Sequence, residues 1–321
     1  MTRVAVVLMN LGGPDSLAAV RPFLVNLFSD PAIISLPGLL RQPLSRFVAW
    51  RRGQVARDIY ARIGGHSPLL ANTQAQARAL EAALGPRHRC FVAMRYWHPM
   101  SAETARQVAE WAPDEIVCLP LYPQFSTTTT ASSLTAWQAA ASRQGLTAPT
   151  STIRCYPCEQ GLIAAIAGLV GPVLEAVSSS GKPTRLLLTA HGLPKRIVRR
   201  GDPYPDQVQQ TAAAVVAALA RPELDWRVCY QSRVGPLEWI GPSTDEEIRR
   251  AGKDGVSLVV APISFVSEHS ETLVELDLDY RCLAEIAGVP SYHRVATVGV
   301  DPSFIRSLAT LVNRAVTGRP V

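Results

Sequence analysis

Six short apolar runs, separated by helical segments, constrain the fold of this 321-residue chain more than any other feature. Four of the runs are rich in Val, Ile or Leu, and glycine, proline or polar residues follow every run. The runs and their turns lie at 4–15, 90–99, 115–133, 184–194, 226–236 and 256–265. Continuous apolar runs are typical of parallel strands that helices cover on both faces. The sequence therefore predicts an α/β fold with parallel, doubly wound sheets.

The alternation of strands and helices starts again in the second half of the chain. Helices are predicted at 160–178, 204–220, 243–252 and about 302–315. We therefore expect two similar domains, residues 1–160 and 161–321, that face one cleft. The last helix leaves one alternative open, in which it packs back on the first domain.

Composition excludes a disordered chain, because hydrophobic residues make up 47% of the sequence and charged residues only 18%. The net charge is +6, but the basic residues are scattered, with only short doublets such as Arg51-Arg52. We predict no nucleic-acid partner, and we prefer a mildly basic face that meets a membrane or an anionic ligand.

The N-terminus reads as part of the fold, because a strand at 4–10 runs directly into a Gly-Gly-Pro turn rather than a cleavage site. No apolar run approaches the ~18–20 residues of a membrane-spanning helix. We therefore expect a cytoplasmic protein.

The six cysteines do not have the pattern of a disulfide framework in a chain of this length. Cys90, Cys118 and Cys229 lie in apolar runs and are predicted core residues. Cys155 and Cys158 form a CxxC pair, but no second pair or nearby histidine completes a zinc or iron–sulfur site.

The 31–50 segment is rich in Ile, Leu and Pro and has Arg41 and Arg46 among its apolar residues. Its three prolines predict that it is not one continuous helix. An apolar segment with basic edges indicates a lip that rests on a membrane or covers an apolar pocket. An ordinary core-packing connection is the alternative.

An acidic stretch follows the run that begins at Val256. Glu271, Glu275 and Asp279 are four residues apart, so on an α-helix they form one ladder that turns about 40° per step. In a chain of positive net charge this local excess needs an explanation. It indicates either a solvated helix face or a carboxylate ladder that holds or passes a cation or protons.

His191 ends one of the apolar strands, where a neutral imidazole can take up a proton or ligate a divalent metal. A lone histidine there is often structural. The ends of other predicted strands carry Arg95 and Tyr122, which favours a functional interpretation. His269, two residues before Glu271, is a second candidate nitrogen ligand.

Six motifs, in order along almost the whole chain, resemble those of the ferrochelatase family. They are LMNLGGPD (8–15), YARIGGHSPL (60–69), LYPQFSTTTTASSL (121–134), TAHGLPKRIVRRGDPYP (189–205), QSRVGPLEWIGPSTDE (231–246) and PISFVSEHSETLVELDLDY (262–280). The resemblance implies two Rossmann-like domains with parallel four-stranded sheets flanked by helices, a chelatase-like fold with a porphyrin cleft between the domains.

The resemblance also implies roles for individual residues. The family's invariant histidine corresponds to His191 and its essential glutamate to Glu271, both catalytic and both in contact with the metal. Glu275, Asp279 and His269 correspond to a proton or metal relay on a helix that contains a widened π turn. The residues that correspond to the family's porphyrin-binding positions are Leu11, Tyr60, Ser67, Arg95, Tyr122 and Trp239.

The activity that the resemblance implies is insertion of Fe²⁺ into protoporphyrin IX, with release of two protons. Iron is a substrate, and no permanently bound cofactor is expected. No [2Fe–2S] cluster is expected either, because 126–130 contains no cysteine and no cysteine-rich tail follows the last helix. The 31–50 segment resembles the membrane-facing lip of members that use protoporphyrin, which favours peripheral contact with the inner face of the cytoplasmic membrane.

Three alternatives stay open at this point. One is a coproporphyrin III ferrochelatase, and another is a chelatase for cobalt or nickel, although the small chelatases of that kind lack the GGPD and RIGGHSPL motifs. The third is a haem-binding or porphyrin-binding protein without catalysis, which would not require both His191 and Glu271. The sequence leaves the oligomeric state, the metal preference and the face of iron delivery open.

Overall fold

The first sheet comes from the N-terminal half of the chain. In the computed structural model, which describes residues 2–179, 181–233, 235 and 237–318, its strands are parallel and lie in the order β2-β1-β3-β4. They are β1 (Val4–Asn10), β2 (His88–Met94), β3 (Glu115–Pro120) and β4 (Thr150–Thr152). All residues of β1 are buried, as expected of a central strand that is covered on both faces.

Five helices accompany this sheet within the described residues. They are α1 (Val20–Phe28), α2 (Gly38–Ala61), α3 (Leu69–Leu84), α4 (Ser101–Trp111) and α5 (Thr130–Arg143). Alternate residues of β1, Ala5, Val7 and Met9, pack in one apolar cluster with Trp137 of α5. The period-2 pattern of the strand thus turns half of its side chains toward these helices.

The second sheet repeats this arrangement, with parallel strands in the order β6-β5-β7-β8. The strands are β5 (Thr184–His191), β6 (Asp225–Gln231), β7 (Ser257–Pro262) and β8 (Tyr292–Arg294). The helices after β4 in chain order are α6 (Gln160–Ser178), α7 (Lys195–Val198), α8 (Tyr204–Leu219), α9 (Thr244–Asp254), a π-helix (Glu271–Asp279), α10 (Tyr280–Ile286) and α11 (Pro302–Val316). The prediction of two parallel four-stranded sheets flanked by helices is confirmed.

Packing divides the chain into two units. The first unit contains Met1–Cys155 and Leu308–Val321, and the second contains Tyr156–Ser307. In the second unit, Leu258 and Val260 of β7 pack with Ile248 of α9 and Leu276 of the π-helix. The apolar side of the π-helix is therefore part of the core of this unit.

The 31–50 segment differs in part from its prediction. Residues 38–50 belong to one helix, α2, although Pro43 lies inside it. Proline removes one helical N–H, and the carbonyl that loses this donor belongs to Leu39, a residue that is 92% exposed and open to water. The inner side of α2 buries Ser45 and Ala49. Prolines therefore do not interrupt the helix after residue 37.

One smaller expectation is also wrong. By length and composition, α6 could cross a membrane, so the expectation that no segment is this apolar fails for this helix. It buries seven residues against its own unit, as core helices of soluble proteins also do: Leu162, Ile163, Ala165, Ile166, Val170, Leu174 and Val177.

Candidate functional site

The carboxyl ends of β5 and β6 place two polar side chains next to each other. His191 is the last residue of β5 and pairs in register with Gln231, the last residue of β6. Gly192 follows, and a Cβ atom there would lie 2.9 Å from the Gln231 carbonyl oxygen and 3.1 Å from the Trp239 ring. The glycine of the TAHG sequence is therefore required because the backbone after β5 approaches the end of β6 closely.

One carboxylate faces two imidazoles at this site. His191 Nε2 lies 3.5 Å from one oxygen of Glu271, and His269 Nε2 lies 3.6 Å from the other. The Nδ1 atom of His191 donates to the Gly192 carbonyl at 2.5 Å, and Nδ1 of His269 donates to the Ser267 carbonyl at 3.1 Å. Both rings are thereby held with Nε2 toward the carboxylate.

The charges of this pair change the pKa values of both groups. Burial disfavours the charged imidazole of His191, but the Glu271 carboxylate outweighs burial and raises the pKa of His191 to about 9. Burial likewise disfavours ionised Glu271, yet the two histidines hold the pKa of Glu271 well below its ordinary value. Near neutral pH the pair is therefore an imidazolium and a carboxylate.

Glu275, one step along the acidic ladder, is held by four hydrogen-bond donors. These are Gln231 Nε2 at 3.1 Å, the backbone N–H of Ser232 at 2.8 Å, the Ser232 hydroxyl, and the Tyr280 hydroxyl at 2.9 Å. Burial, followed by the negative charge of Glu271, raises the pKa of Glu275. The donors favour the carboxylate form, so the structure fixes the position of this group while burial makes its protonation easier.

Gln231 connects Glu275 to the sheet. Its Oε1 accepts a hydrogen bond from Thr189 at 2.9 Å, so its amide nitrogen is the group that faces Glu275 and the Glu271 carbonyl. The side chain is fully buried. Gln231 was not among the predicted site residues, although its position at the end of an apolar run was a usable signal.

The acidic stretch is a π-helix, so the 40° α-helical step does not apply to its ladder. The widened turn that the resemblance implied is present over all nine residues. Glu271 and Glu275 are partly buried, whereas Asp279 is exposed. The alternative of a solvated face is therefore wrong for the first two carboxylates and describes only Asp279.

Trp239 lies beside the catalytic candidate of the second unit. Its ring centroid is 6.5 Å from that of His191, and it pairs with Pro194 in an isolated bridge. Its Nε1 is buried and has no hydrogen-bond partner among the described residues. A buried N–H without a partner is unusual and is consistent with a position that a ligand covers.

In the first unit, three of the predicted residues follow the carboxyl ends of adjacent strands. Leu11 follows β1, Arg95 follows β2 and Tyr122 lies two residues after β3. The backbone N–H of Arg95 donates to the Asn10 carbonyl at 2.9 Å. The hydroxyl of Tyr122 lies 3.4 Å from Ser133, and burial raises the pKa of Tyr122.

Arg95 is held by a buried carboxylate that sequence reasoning missed. Its Nη2 donates to Asp30 at 2.8 Å and its Nε donates to Ser132 at 2.7 Å. The Tyr96 hydroxyl and the Ser132 hydroxyl donate to the same oxygen of Asp30. Because the side chain of Asp30 is only 2% exposed and that of Arg95 is 20% exposed, Asp30 fixes the guanidinium while leaving part of it accessible.

Tyr60 and Ser67 lie near the glycine turn after β1. The backbone N–H of Ser67 donates to the Pro14 carbonyl at 2.8 Å, and the Tyr60 carbonyl accepts from Gly65 at 2.8 Å. A Cβ atom on Gly13 would lie 2.5 Å from the Ser67 side chain, so only glycine fits there. Leu11, Arg95 and Tyr122 therefore follow strand ends, and Ser67 contacts this turn. Tyr60 packs in the apolar cluster that includes Leu11.

Within the described part of the chain, no group of three or more His, Cys, Asp and Glu side chains forms a preformed metal site. Cys155 is partly buried, Cys158 is exposed, and neither is in a disulfide. The closest grouping of imidazole and carboxylate described above is His191, Glu271 and His269, in which each Nε2 lies within 3.6 Å of a Glu271 oxygen.

The chain is similar to ferrochelatases over almost its full length. The family model described as Ferrochelatase matches residues 3–316. A ferrochelatase of Caulobacter vibrioides is 55% identical over 325 residues, which covers 99% of this chain and 92% of the relative. One of Phenylobacterium zucineum is 56% identical over 96% of this chain and 90% of the relative. A third, from Wolbachia pipientis wMel, is 49% identical over 96% of this chain and 98% of the relative.

Solved structures with a similar fold include SirB from Bacillus subtilis with Fe³⁺. Its TM-score is 0.57 at 12% identity, covering 99% of this chain and 97% of that one. CbiX, described as the terminal enzyme for biosynthesis of siroheme in denitrifying bacteria, has a TM-score of 0.53 at 16% identity, covering 98% and 99%. At such identities the likeness supports the chelatase-like α/β fold alone.

Proposed function

The chain belongs to the ferrochelatase family and is a lyase that inserts iron into a porphyrin for haem synthesis, and we propose that its substrates are Fe²⁺ and protoporphyrin IX. The reaction replaces the two pyrrole N–H protons by the metal and gives protohaem and two protons, which would be the last step of haem b synthesis. The protein must therefore accept protons, hold a hydrated cation briefly and keep the macrocycle in a geometry that exposes its nitrogen lone pairs.

His191 is the proposed proton acceptor. The observation that carries this role is the orientation of its ring: Nδ1 donates to the Gly192 carbonyl, which leaves Nε2 as the group that exchanges protons, 3.5 Å from Glu271. Because the carboxylate keeps this imidazole protonated near neutral pH, Nε2 must first lose its proton. A cation that binds Glu271 would compete with the imidazolium for the same charge and lower the pKa of His191.

Glu271 is the proposed metal-handling carboxylate, and His191 is the proposed second metal ligand. His269 is a neighbour that orients Glu271 or relays protons or the metal. Carboxylate and imidazole bind Fe²⁺ less tightly than thiolates do, so the metal can move on to the porphyrin. Because Nδ1 of His191 donates to the Gly192 carbonyl, Nε2 can hold either the metal or a proton. Fe²⁺ would therefore leave Nε2 before that atom accepts a pyrrole proton.

Glu275 and Asp279 are the proposed relay to solvent. The exposure of the carboxylates increases along the π-helix, from partly buried Glu271 and Glu275 to exposed Asp279. Protons from the pyrrole nitrogens could follow this gradient, since burial raises the pKa of Glu275 and makes it a better proton carrier than an exposed carboxylate.

The proposed porphyrin contacts in the first unit are Leu11, Tyr60, Ser67, Arg95 and Tyr122, and in the second unit Trp239. Arg95 is the group of this set that suits a propionate, because it is positively charged, partly exposed and fixed by Asp30. Leu11 and the tyrosines offer apolar surface to the macrocycle. The buried Nε1 of Trp239 without a partner supports its place in this set.

The choice of protoporphyrin rests on helix α2. Large apolar side chains project from it into solvent: Leu39 is 92% exposed, Leu40 60%, Phe47 54% and Trp50 62%. Protoporphyrin is an apolar, membrane-soluble substrate. We therefore propose a cytoplasmic protein that rests peripherally on the inner face of the membrane through 31–50. Coproporphyrin III is the second candidate. It carries more carboxylates than protoporphyrin, and the arginines of 31–50, Arg41 and Arg46, could pair with them.

The proposal assigns no permanently bound cofactor and no iron–sulfur cluster. Its support is that Cys155 is partly buried and Cys158 exposed, with no histidine or acidic group completing a site around them among the described residues. A stoichiometric visible absorption of iron and sulfide in protein purified without oxygen would contradict this part of the proposal.

The test of the catalytic assignment is anaerobic metal insertion by His191→Ala, with His293→Ala as the matched control. His293 is an exposed histidine of β8 in the same unit, outside the proposed site. The proposal expects loss of insertion in the first variant and unchanged insertion in the second, with a cooperative thermal melt in both. Wild-type turnover by folded His191→Ala would refute the assignment.

A further inference from the structure

A single arginine of the edge strand β8 joins two carboxylates of the acidic stretch. Arg294 Nε donates to Asp277 at 2.8 Å, and its Nη2 contacts the other oxygen of the same carboxylate. Its Nη1 donates to Glu268 at 2.6 Å. The side chain is only 10% exposed, and Glu268 also accepts the backbone N–H of Thr297 at 2.9 Å. These contacts form a partly buried ion-pair cluster, the Arg294 triad (Arg294, Glu268 and Asp277).

The two acidic residues of the triad lie on either side of Glu271 and Glu275 in the sequence. Glu268 lies three residues before Glu271, and Asp277 lies two residues after Glu275. One rigid guanidinium therefore fixes the chain on both sides of the segment whose side chains face His191. A shift of the helix by one residue would break at least one of these bonds.

A π-helix needs such support because its wide i→i+5 turn is rare and usually occurs only as a single-turn bulge. This one has nine residues, and no side chain caps its N-terminus. The same strand gives a second contact, since the Tyr292 hydroxyl donates to the Leu276 carbonyl at 2.8 Å. Tyr292 and Arg294 are two apart on a strand, so both side chains are on the face that meets the π-helix.

We propose that Arg294 is a positioning residue that holds the π-helix in register, so that Glu271 and Glu275 keep their places beside His191 and Gln231. The proposal rests on the function assigned to these carboxylates above and adds a residue that does not touch the substrate. Its effect on metal insertion is indirect and acts through the position of the π-helix.

The chemistry of arginine is essential to this role. The planar guanidinium binds one carboxylate through two parallel bonds and still has a third donor for a second carboxylate, whereas lysine is a single point charge. Arg294→Lys therefore keeps the charge and most of the volume but loses the two parallel bonds to Asp277. The substitution thus tests the bonding geometry of Arg294 separately from its charge.

The second unit contains a matched control for this substitution. Arg185, at the start of β5, is 7% exposed and also joins two carboxylates, Asp225 at 2.7 Å and Asp254 at 2.9 Å. It lies near the amino end of the sheet, away from His191 at the carboxyl end of the same strand. Arg185→Lys disrupts another arginine that joins two carboxylates, without touching the π-helix.

The experiment compares both variants in steady-state metal insertion and in amide hydrogen exchange. For Arg294→Lys we expect turnover about 100-fold lower, as for a ~1 Å displacement of a catalytic group, with the KM for porphyrin unchanged. Amides of 271–279 should exchange faster in this variant, while those of 184–191 keep the wild-type rate. Arg185→Lys should lose similar thermal stability and retain turnover and the protection of 271–279.

The proposal is overturned if both variants change turnover equally, or if 271–279 exchanges at the wild-type rate in Arg294→Lys. If the latter variant does not fold, Asp277→Asn replaces it under the same readouts, because it removes one partner of the triad. If the wild-type protein inserts no metal, the proposed function fails, and hydrogen exchange alone then decides whether Arg294 holds the helix.

Discussion

Replacing Glu271 by Gln should lower the pKa of His191 from about 9 to its ordinary value near 6.5 or below it. The substitution keeps the shape of the side chain and removes the negative charge that raises this pKa. Burial, which disfavours the imidazolium, then acts with less opposition. The expected change is large enough to follow directly by NMR titration of the His191 ring protons, with His191→Ala to identify their signals.

The same substitution predicts a pH-dependent loss of stability. If the His191–Glu271 pair were fully shielded from solvent, a pKa that folding raises from 6.5 to about 9 would contribute about 3 kcal/mol to the free energy of unfolding. Since the His191 side chain is 40% exposed, screening reduces this contribution to about 1–2 kcal/mol. The contribution is fully present below the unfolded pKa of 6.5 and is lost as the pH rises through about 9.

Urea unfolding of the wild-type protein and Glu271→Gln at several pH values measures this contribution. The difference in the free energy of unfolding should be largest near pH 6 and should decrease toward pH 9 and above. The matched control Asp279→Asn, at the exposed end of the ladder, should leave the titration of the His191 ring unchanged. An unchanged His191 titration in Glu271→Gln would refute the reasoning, because the carboxylate would then not be the cause of the raised pKa.

Three further predictions concern other parts of the chain. Asp30→Asn should lower the free energy of unfolding by about 3 kcal/mol, because it leaves the partly buried Arg95 without its charge partner, and urea titration measures this loss. Leu39→Ser with Leu40→Ser should weaken binding to anionic liposomes in a sedimentation assay and leave the melting temperature unchanged, since both side chains are exposed. Glu275→Gln should reduce the turnover number more than it raises the KM for porphyrin in steady-state kinetics, and by less than Glu271→Gln does.

The fold was predictable because its strands are buried on both faces. Runs such as 4–9 and 256–262 read as continuous apolar segments, and polar residues at or just after strand ends mark the carboxyl edge of a sheet. That rule predicted the places of His191, Arg95 and Tyr122 at or just after strand ends, where the structure has them. Their partners were harder to find, since Gln231 is an ordinary polar residue until its strand is known to pair with β5.

The π-helix could not be derived from local sequence. Carboxylates four residues apart fit an α-helix equally well, and the contacts that accompany the wider turn come from β8, 17 and 26 residues away from the groups that Arg294 binds. Asp30 was missed for a similar reason, because its partner Arg95 is 65 residues away. Pro43 inside α2 shows the opposite error, where a local rule was too strict at an exposed turn.

Anaerobic metal insertion with protoporphyrin IX and coproporphyrin III as competing acceptors tests both the proposed substrate and the role of His191. The protein, Fe²⁺ and each porphyrin are mixed in the presence of vesicles, and the haem product is measured by its absorption. We expect a higher kcat/KM for protoporphyrin IX, and a loss of insertion with both acceptors in His191→Ala. A higher kcat/KM for coproporphyrin III, or full activity of folded His191→Ala, would contradict these expectations.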